Sequence, residues 1–420
     1  MNRVIRGALA AIGLCLLAGA VVLFAVRDQI WPPPTPVVAR AGPSPEKLAA
    51  AKPASPEEER PTVAPRSKIV SWAGLTVEPC VDDIRLDLMV RPVLGHLDQD
   101  LLEAVKDLKD AAGLFPVAED RVTFLPVSRK GASFRDPYNL HPASSGTRVE
   151  FALEPIVLGW WPARQMLASS LAEAILLQEV PRYAEAPPWF RHGLALYLSE
   201  FGPVYSDRAL LESSLPPPQM VRSLAEAGDF SWLDGYWAVK ALSARAGDEA
   251  VKRWAQSMFE GRPFDEALRA ATGETLVVFE EKYREWTLAQ LRDRCANRQE
   301  IVDAVALLRL RKEAETIPTL ETFVKNRPLD LYAGNARYFL NYARFRSGDY
   351  EQAINGFTDL LVNAPATTSW QGKAHYFLGR SYQLAGYRPL AVKEYMLAAL
   401  DPDSTLLVKL AKEHLAEVEK

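Results

Sequence analysis

Residues 166–200 read MLASSLAEAILLQEVPRYAEAPPWFRHGLALYLSE, and the rest of the chain is organised around them. Leu167, Leu171, Ala174 and Ile175 recur at the spacing of one helix face, and Leu194, Ala195 and Leu198 do the same further on. Two helices joined by a turn are therefore expected. Pro187 and Pro188 suit the start of the second, because proline is tolerated in a first turn and not in a helix interior. Ser169, Ser170 and Glu173 share one side of the first helix, since positions three and four apart are neighbours.

These residues resemble the core of the gluzincin metallopeptidases, in the branch described as peptidase MA-like. That family carries His-Glu-x-x-His on a helix, followed by Pro-Pro-Trp-x-x-Glu-Gly-Leu-Ala-Glu-Tyr. The packing residues of the pattern are present as Leu167, Ala168, Leu171, Ala174, Ile175, Pro187, Pro188, Trp189, Gly193, Leu194, Ala195 and Tyr197. The chemical residues are replaced. Ser169 stands for the first histidine, Ser170 for the catalytic glutamate and Glu173 for the second histidine. His192 stands for the third ligand, and Leu196 for the glutamate that follows. The resemblance thus implies degenerate former metal and catalytic positions at Ser169, Ser170, Glu173 and His192. It implies no catalytic residue, no bound metal and no cofactor.

A catalytic zinc needs about three protein ligands, an open water position and a base to handle the proton. Only Glu173 and His192 remain as donors. Three readings follow: the two pair with each other in the vacated site, they form a weak metal site, or they do not meet. A serine nucleophile is disfavoured, because neither Ser169 nor Ser170 lies in a Gly-x-Ser-x-Gly elbow.

The chain has 420 residues and a net charge of -4, so it has room for two or three cores and no basic footprint for nucleic acid. Its five histidines form no local ligand cluster. Residues 7–26 are uncharged and apolar, close to the roughly 20 needed to cross a bilayer, and follow Arg3 and Arg6. The expectation is an uncleaved transmembrane anchor over 1–27, in a bacterial inner membrane with the body exported to the periplasm. A Pro/Ala-rich linker over 28–66 follows as a tether. Cys80 and Cys295 flank the peptidase-like domain of 67–297, and a disulfide between them and two separate thiols are both open readings.

Within 67–297, strands are expected over 69–77, 84–90, 121–127 and 148–155, with a helix over 98–113 capped by Asp98. Residues 128–147 hold many turn formers and read as a long loop containing His141. Trp160 and Trp161 read as either a binding lip or core. Beyond Glu200, Gly235, Tyr236, Gly247, Gly261, Ala267, Gly273, Phe279 and Trp286 extend the gluzincin resemblance to about residue 295. It places Tyr236 near a position that stabilises the transition state in active members.

Over 298–420, Pro328, Pro365 and Pro402 recur at intervals of 37 residues, with Ala353 and Phe357 echoed by Ala391 and Tyr395. These resemble tetratricopeptide repeats, whose unit is about 34 residues, closed by a capping helix near the end. The whole is expected to be an α+β metallopeptidase-like domain, an all-α repeat solenoid and an amino-terminal transmembrane helix. The function expected is that of a membrane-anchored, exported, non-catalytic scaffold with a protein or peptide partner on the repeats. The alternatives are an atypical metal-dependent hydrolase and a binder of envelope polysaccharide or peptidoglycan.

Overall fold

The computed structural model describes residues 70–72, 75–77, 96–97, 99–110, 122–127, 137–143, 146–180, 182–213, 216–224, 232–363, 370–401 and 404–420. The chain divides into two compact units, residues 1–65 with 308–312, and residues 66–307 with 313–420. Of the first, only residues 308–312 are described, a helix end and the turn after it, where Arg311 adopts a left-handed φ of 60°.

The second unit begins with a five-stranded mixed sheet in the order β1-β2-β3-β5-β4. Its strands are β1 (Val70–Trp72), β2 (Leu75–Val77), β3 (Val122–Val127), β4 (Tyr138–Ala143) and β5 (Gly146–Ala152). β3 runs parallel to both β2 and β5, while β4 closes the edge antiparallel to β5, pairing Tyr138 with Phe151. Alternation buries Val122 and Phe124 from β3 and Val149 and Phe151 from β5 on one face.

Helical residues 99–110 (α1) and α3 (Ala163–Glu179) contribute to the same core; α2 is the short turn Glu154–Val157. Every residue of α3 from Met166 to Leu176 is buried, which marks it as a central helix rather than a surface one. Arg164 fastens its start to α1 by two bonds of 2.6 Å to Asp107 and one of 2.8 Å to Glu103.

α4 (Pro188–Leu198) and α5 (Gly202–Glu212) follow, then the short α6 (Pro217–Met220), α7 (Trp232–Ala246), α8 (Asp248–Phe259), α9 (Phe264–Thr272) and α10 (Leu276–Arg294). Trp189 and Phe190 open α4 and pack into an aromatic cluster with Trp254, Phe264 and Phe279; Phe190 and Trp254 have centroids 4.3 Å apart. Such ring pairs contribute about 0.5–1.5 kcal/mol each beyond burial.

Seven further helices continue the chain: α11 (Arg298–Arg309), α12 (Glu313–Asn326), α13 (Ala333–Arg346), α14 (Tyr350–Asn363), α15 (Gln371–Leu384), α16 (Arg388–Ala398) and α17 (Thr405–Val418). From α12 onward, consecutive helices pack on each other as hairpins. Ala353, Phe357, Ala391 and Tyr395 are each fully buried. Gly348 and Gly386 take φ values of 85° and 87° in the tight turns inside two hairpins, a conformation open to glycine at no steric cost.

Two expectations are corrected. The residues read as a loop over 128–147 contain β4, because at a sheet edge Pro142 removes no ladder bond that the sheet needs and pairing with β5 supplies the rest. The expected architecture, with its transmembrane helix and inner-membrane location, gives way to a mixed α+β region followed by a long, mostly helical one. Among the described residues no helix is long and apolar enough to cross a membrane. The longest, α10, spans 19 residues but carries charge through its length, from Glu280 to Arg294, and α3 stops at 17. The segment 7–26, the linker 28–66, the strand expected over 84–90, Cys80 and Asp98 lie outside the described residues. Of the two readings of Trp160 and Trp161, core is the one borne out, since both are buried.

Candidate functional site

α3 and α4 pack against each other, and their facing sides bring Glu173 and His192 together. His192 Nδ1 lies 3.1 Å from each carboxylate oxygen of Glu173. Glu173 is 1% exposed, and the His192 side chain 18%. Tyr138, on the edge strand β4, donates its hydroxyl to Glu173 at 3.1 Å. Its oxygen lies 3.0 Å from Ser169 Oγ, which is then the donor between them. Ser170 donates to the Leu167 carbonyl at 2.9 Å.

Burial pushes the Glu173 carboxyl up, but attraction and hydrogen bonding from His192, the nearby Arg191 and the Tyr138 hydroxyl together outweigh it. The group is held below its ordinary value. An ionised carboxylate only accepts, so His192 Nδ1 carries the donated proton and Nε2 is the nitrogen left over. Burial, followed by the Glu173 charge, pushes the Tyr138 phenol well above its usual range and keeps it a donor.

Trp232, the first residue of α7, covers the imidazole. The His192 and Trp232 rings stack with centroids 4.0 Å apart and planes 9° from parallel. Tyr138 meets the same indole edge-on at 4.9 Å. The start of α7 is fixed by Asp234, which accepts from Arg222 N, Arg222 Nε and Tyr283 Oη, each at 3.1 Å.

Of the residues singled out in the sequence, Ser169, Glu173 and His192 belong to one connected network with Tyr138, while Ser170 bonds only within α3. Tyr236 lies elsewhere, packed against Gly202, with its phenol pushed up to about 12 by burial and by Asp207. His141 is exposed and pairs with Glu150 at 3.3 Å. Cys295 is half-buried against two apolar clusters. Tyr138 and Trp232 are the residues that sequence reasoning missed. The available signal for Tyr138 was its alternation with Leu140 opposite a well-patterned strand.

The arrangement can orient an imidazole, hold a buried carboxylate ionised and satisfy two hydroxyls. It does not activate a serine, since the protons of Ser169 and Ser170 go to Tyr138 and to a carbonyl. Among the described residues no group of three or more His, Cys, Asp or Glu side chains is placed to hold a metal ion. The expectation of a membrane-anchored scaffold with a metal-dependent hydrolase as its alternative is corrected accordingly. Glu173 finds Tyr138 and His192 where a metal centre would need further ligands, and no described helix can serve as the anchor. Compared with known proteins, the chain matches no family model, no curated protein and no solved structure.

Proposed function

We propose that this chain is a peptide-binding protein that works through its stacked helical hairpins, with Glu173 and His192 serving structure rather than turnover. The observation that carries the reading is the succession of packed helix pairs α13–α14 and α15–α16, turned at Gly348 and Gly386 and burying an alanine and an aromatic at matching positions, Ala353 with Phe357 and Ala391 with Tyr395. Stacked hairpins of this kind offer an extended surface wide enough for a segment of another chain. The resemblance of 298–420 to tetratricopeptide repeats belongs to this reading. So does the resemblance of 166–200 to a gluzincin core whose zinc ligands have been exchanged for a hydrogen-bonded set.

The test is a peptide array probed with the full chain, followed by calorimetry and mass spectrometry of the bound peptide. The reading expects saturable binding, an intact peptide, and slowed amide exchange in α13 and α15. Cleavage of the peptide, or protection confined to residues 138–232, would overturn it.

A further inference from the structure

Cys295 closes α10, with its backbone N–H donating to the Leu291 carbonyl at 2.9 Å and its carbonyl accepting from Arg298 N at 3.1 Å. Its side chain is half-buried and packs against the cluster that holds Ile301, Leu320, Phe323 and Tyr332. Tyr332 is fixed as firmly. It stands at the start of α13, its carbonyl accepts from Ala336 N at 2.8 Å, and the residue is 4% exposed.

The Tyr332 hydroxyl is buried and meets no nitrogen or oxygen at hydrogen-bond geometry among the described residues. Its polar neighbour is the Cys295 sulfur, a weak acceptor. The other polar groups near the ring are engaged elsewhere. Asp330 accepts from Tyr332 N at 2.8 Å and from Asn297 Nδ2 at 2.6 Å, and Arg298 donates to the Ser213 carbonyl at 2.8 Å. Burial, followed by the contact with Cys295, pushes the phenol up, so the hydroxyl stays a donor. A buried donor that faces sulfur forgoes most of the stabilisation an oxygen would return.

Oxidation of the thiol places an oxygen on that sulfur, within the donor's reach. We propose that Cys295 is a site of reversible oxidation to sulfenic acid by hydrogen peroxide, with the Tyr332 hydroxyl holding the new oxygen. The sulfur attacks one peroxide oxygen, and an S–O bond forms as the O–O bond breaks. Sulfur gives two electrons to the peroxide, and the departing hydroxide takes the thiol proton and leaves as water. Half-burial keeps the side chain within reach of a reagent as small as peroxide. Tyr332 acts on the product and not on the attack, so the signature is how long the sulfenic acid lasts.

The test uses the full chain, first reduced and then treated with hydrogen peroxide. Catalase removes the peroxide, reduced glutathione starts the decay, and dimedone added at intervals traps the sulfenic acid that remains. Peptide mass spectrometry reads Cys295 apart from Cys15 and Cys80. Tyr332→Phe should shorten the life of the sulfenic acid at Cys295 at least about threefold, the worth of one hydrogen bond. In the reduced protein the same substitution should leave the urea midpoint unchanged or raised, because the deleted hydroxyl faced only sulfur. A midpoint that falls in the reduced state would overturn the proposal, by showing that the hydroxyl already has a good acceptor. Equal lifetimes in the two proteins would overturn it, as would a native chain that gives no dimedone adduct at Cys295. Cys295 found joined to Cys80 in the isolated protein would overturn it too, by leaving no thiol to oxidise.

Discussion

The backbone of Gly193 lies directly against that of Gly235. A methyl carbon built on Gly193 would stand 2.2 Å from the Gly235 carbonyl carbon, and one on Gly235 would stand 1.9 Å from the Trp189 carbonyl oxygen. This crossing of α4 and α7 is what sets Trp232 over His192. The obstructing atoms are backbone, so they cannot rotate away as a flexible side chain would. Gly193→Ala is expected to destabilise the protein by about 3 kcal/mol or more. Urea unfolding checks the loss, and near-ultraviolet circular dichroism checks the indole stack. A loss under about 1 kcal/mol would show that the two helices separate freely.

The helices flanking the site were legible because their apolar residues recur at helical spacing and prolines mark where α4 begins. Glu173 and His192 were legible as residues, and of the three readings open for them the mutual pairing is the one the structure bears out. What sequence did not give is how α3 and α4 rotate to bring Tyr138 and Trp232 onto the same pair. β4 was hidden by Asn139, Pro142 and the Ser-Ser-Gly of 144–146, which are turn formers in isolation. Its extended state comes from pairing with β5, a long-range contact that local preference does not encode. Trp232 was hidden for a related reason, because its approach to His192 depends on two glycines 42 positions apart in sequence meeting backbone to backbone.

The Tyr138 hydroxyl joins the edge strand to the central helix. Tyr138→Phe keeps the ring packed against Trp232 and removes only the donor to Glu173 and the acceptor for Ser169. The expected loss is about 1–3 kcal/mol, the cost of leaving buried polar groups unmade. Ser169→Ala made on top of Tyr138→Phe should cost less than Ser169→Ala alone, with a coupling of about 0.5–3 kcal/mol. A double-mutant cycle by chemical denaturation measures it, and strict additivity would mean that the hydroxyls do not act together.

Arg208 is almost fully buried and sits where α5 meets α15. Its guanidinium lies 4.1 Å over Trp160, pairs with Glu212 and donates to Gln371 Oε1 at 2.7 Å. Arg208→Met keeps the apolar stem but removes the charge, leaving Glu212 and Gln371 without that partner. A loss of about 3 kcal/mol or more is expected. Amide exchange at Ala374, in the first turn of α15, should speed up more than exchange within α3. Equal acceleration in both helices would instead mean that Arg208 supports the core generally and not this junction.

Glu173 makes the stability of the site depend on pH in a defined direction. In the unfolded chain the carboxyl titrates at its ordinary value of 4.5, and in the folded protein it is held lower by His192, Arg191 and Tyr138, against its burial. A group with a depressed folded value contributes its full stabilisation above 4.5 and loses it as pH falls through the folded value. Acid should therefore destabilise the native protein through Glu173 over the range beginning at about 4.5 and extending below it. Glu173→Gln keeps the volume, removes the ionisation and turns an acceptor toward the same donors. At neutral pH it should cost about 1–3 kcal/mol, because the amide's own N–H groups cannot all find acceptors there. Below 4.5 the difference between native and variant should narrow, and the curves should approach each other as the native carboxyl takes up its proton. Urea denaturation of both proteins across acid and neutral pH measures the gap. A gap that stays constant, or widens, on acidification would show that the carboxylate is not held ionised by its neighbours.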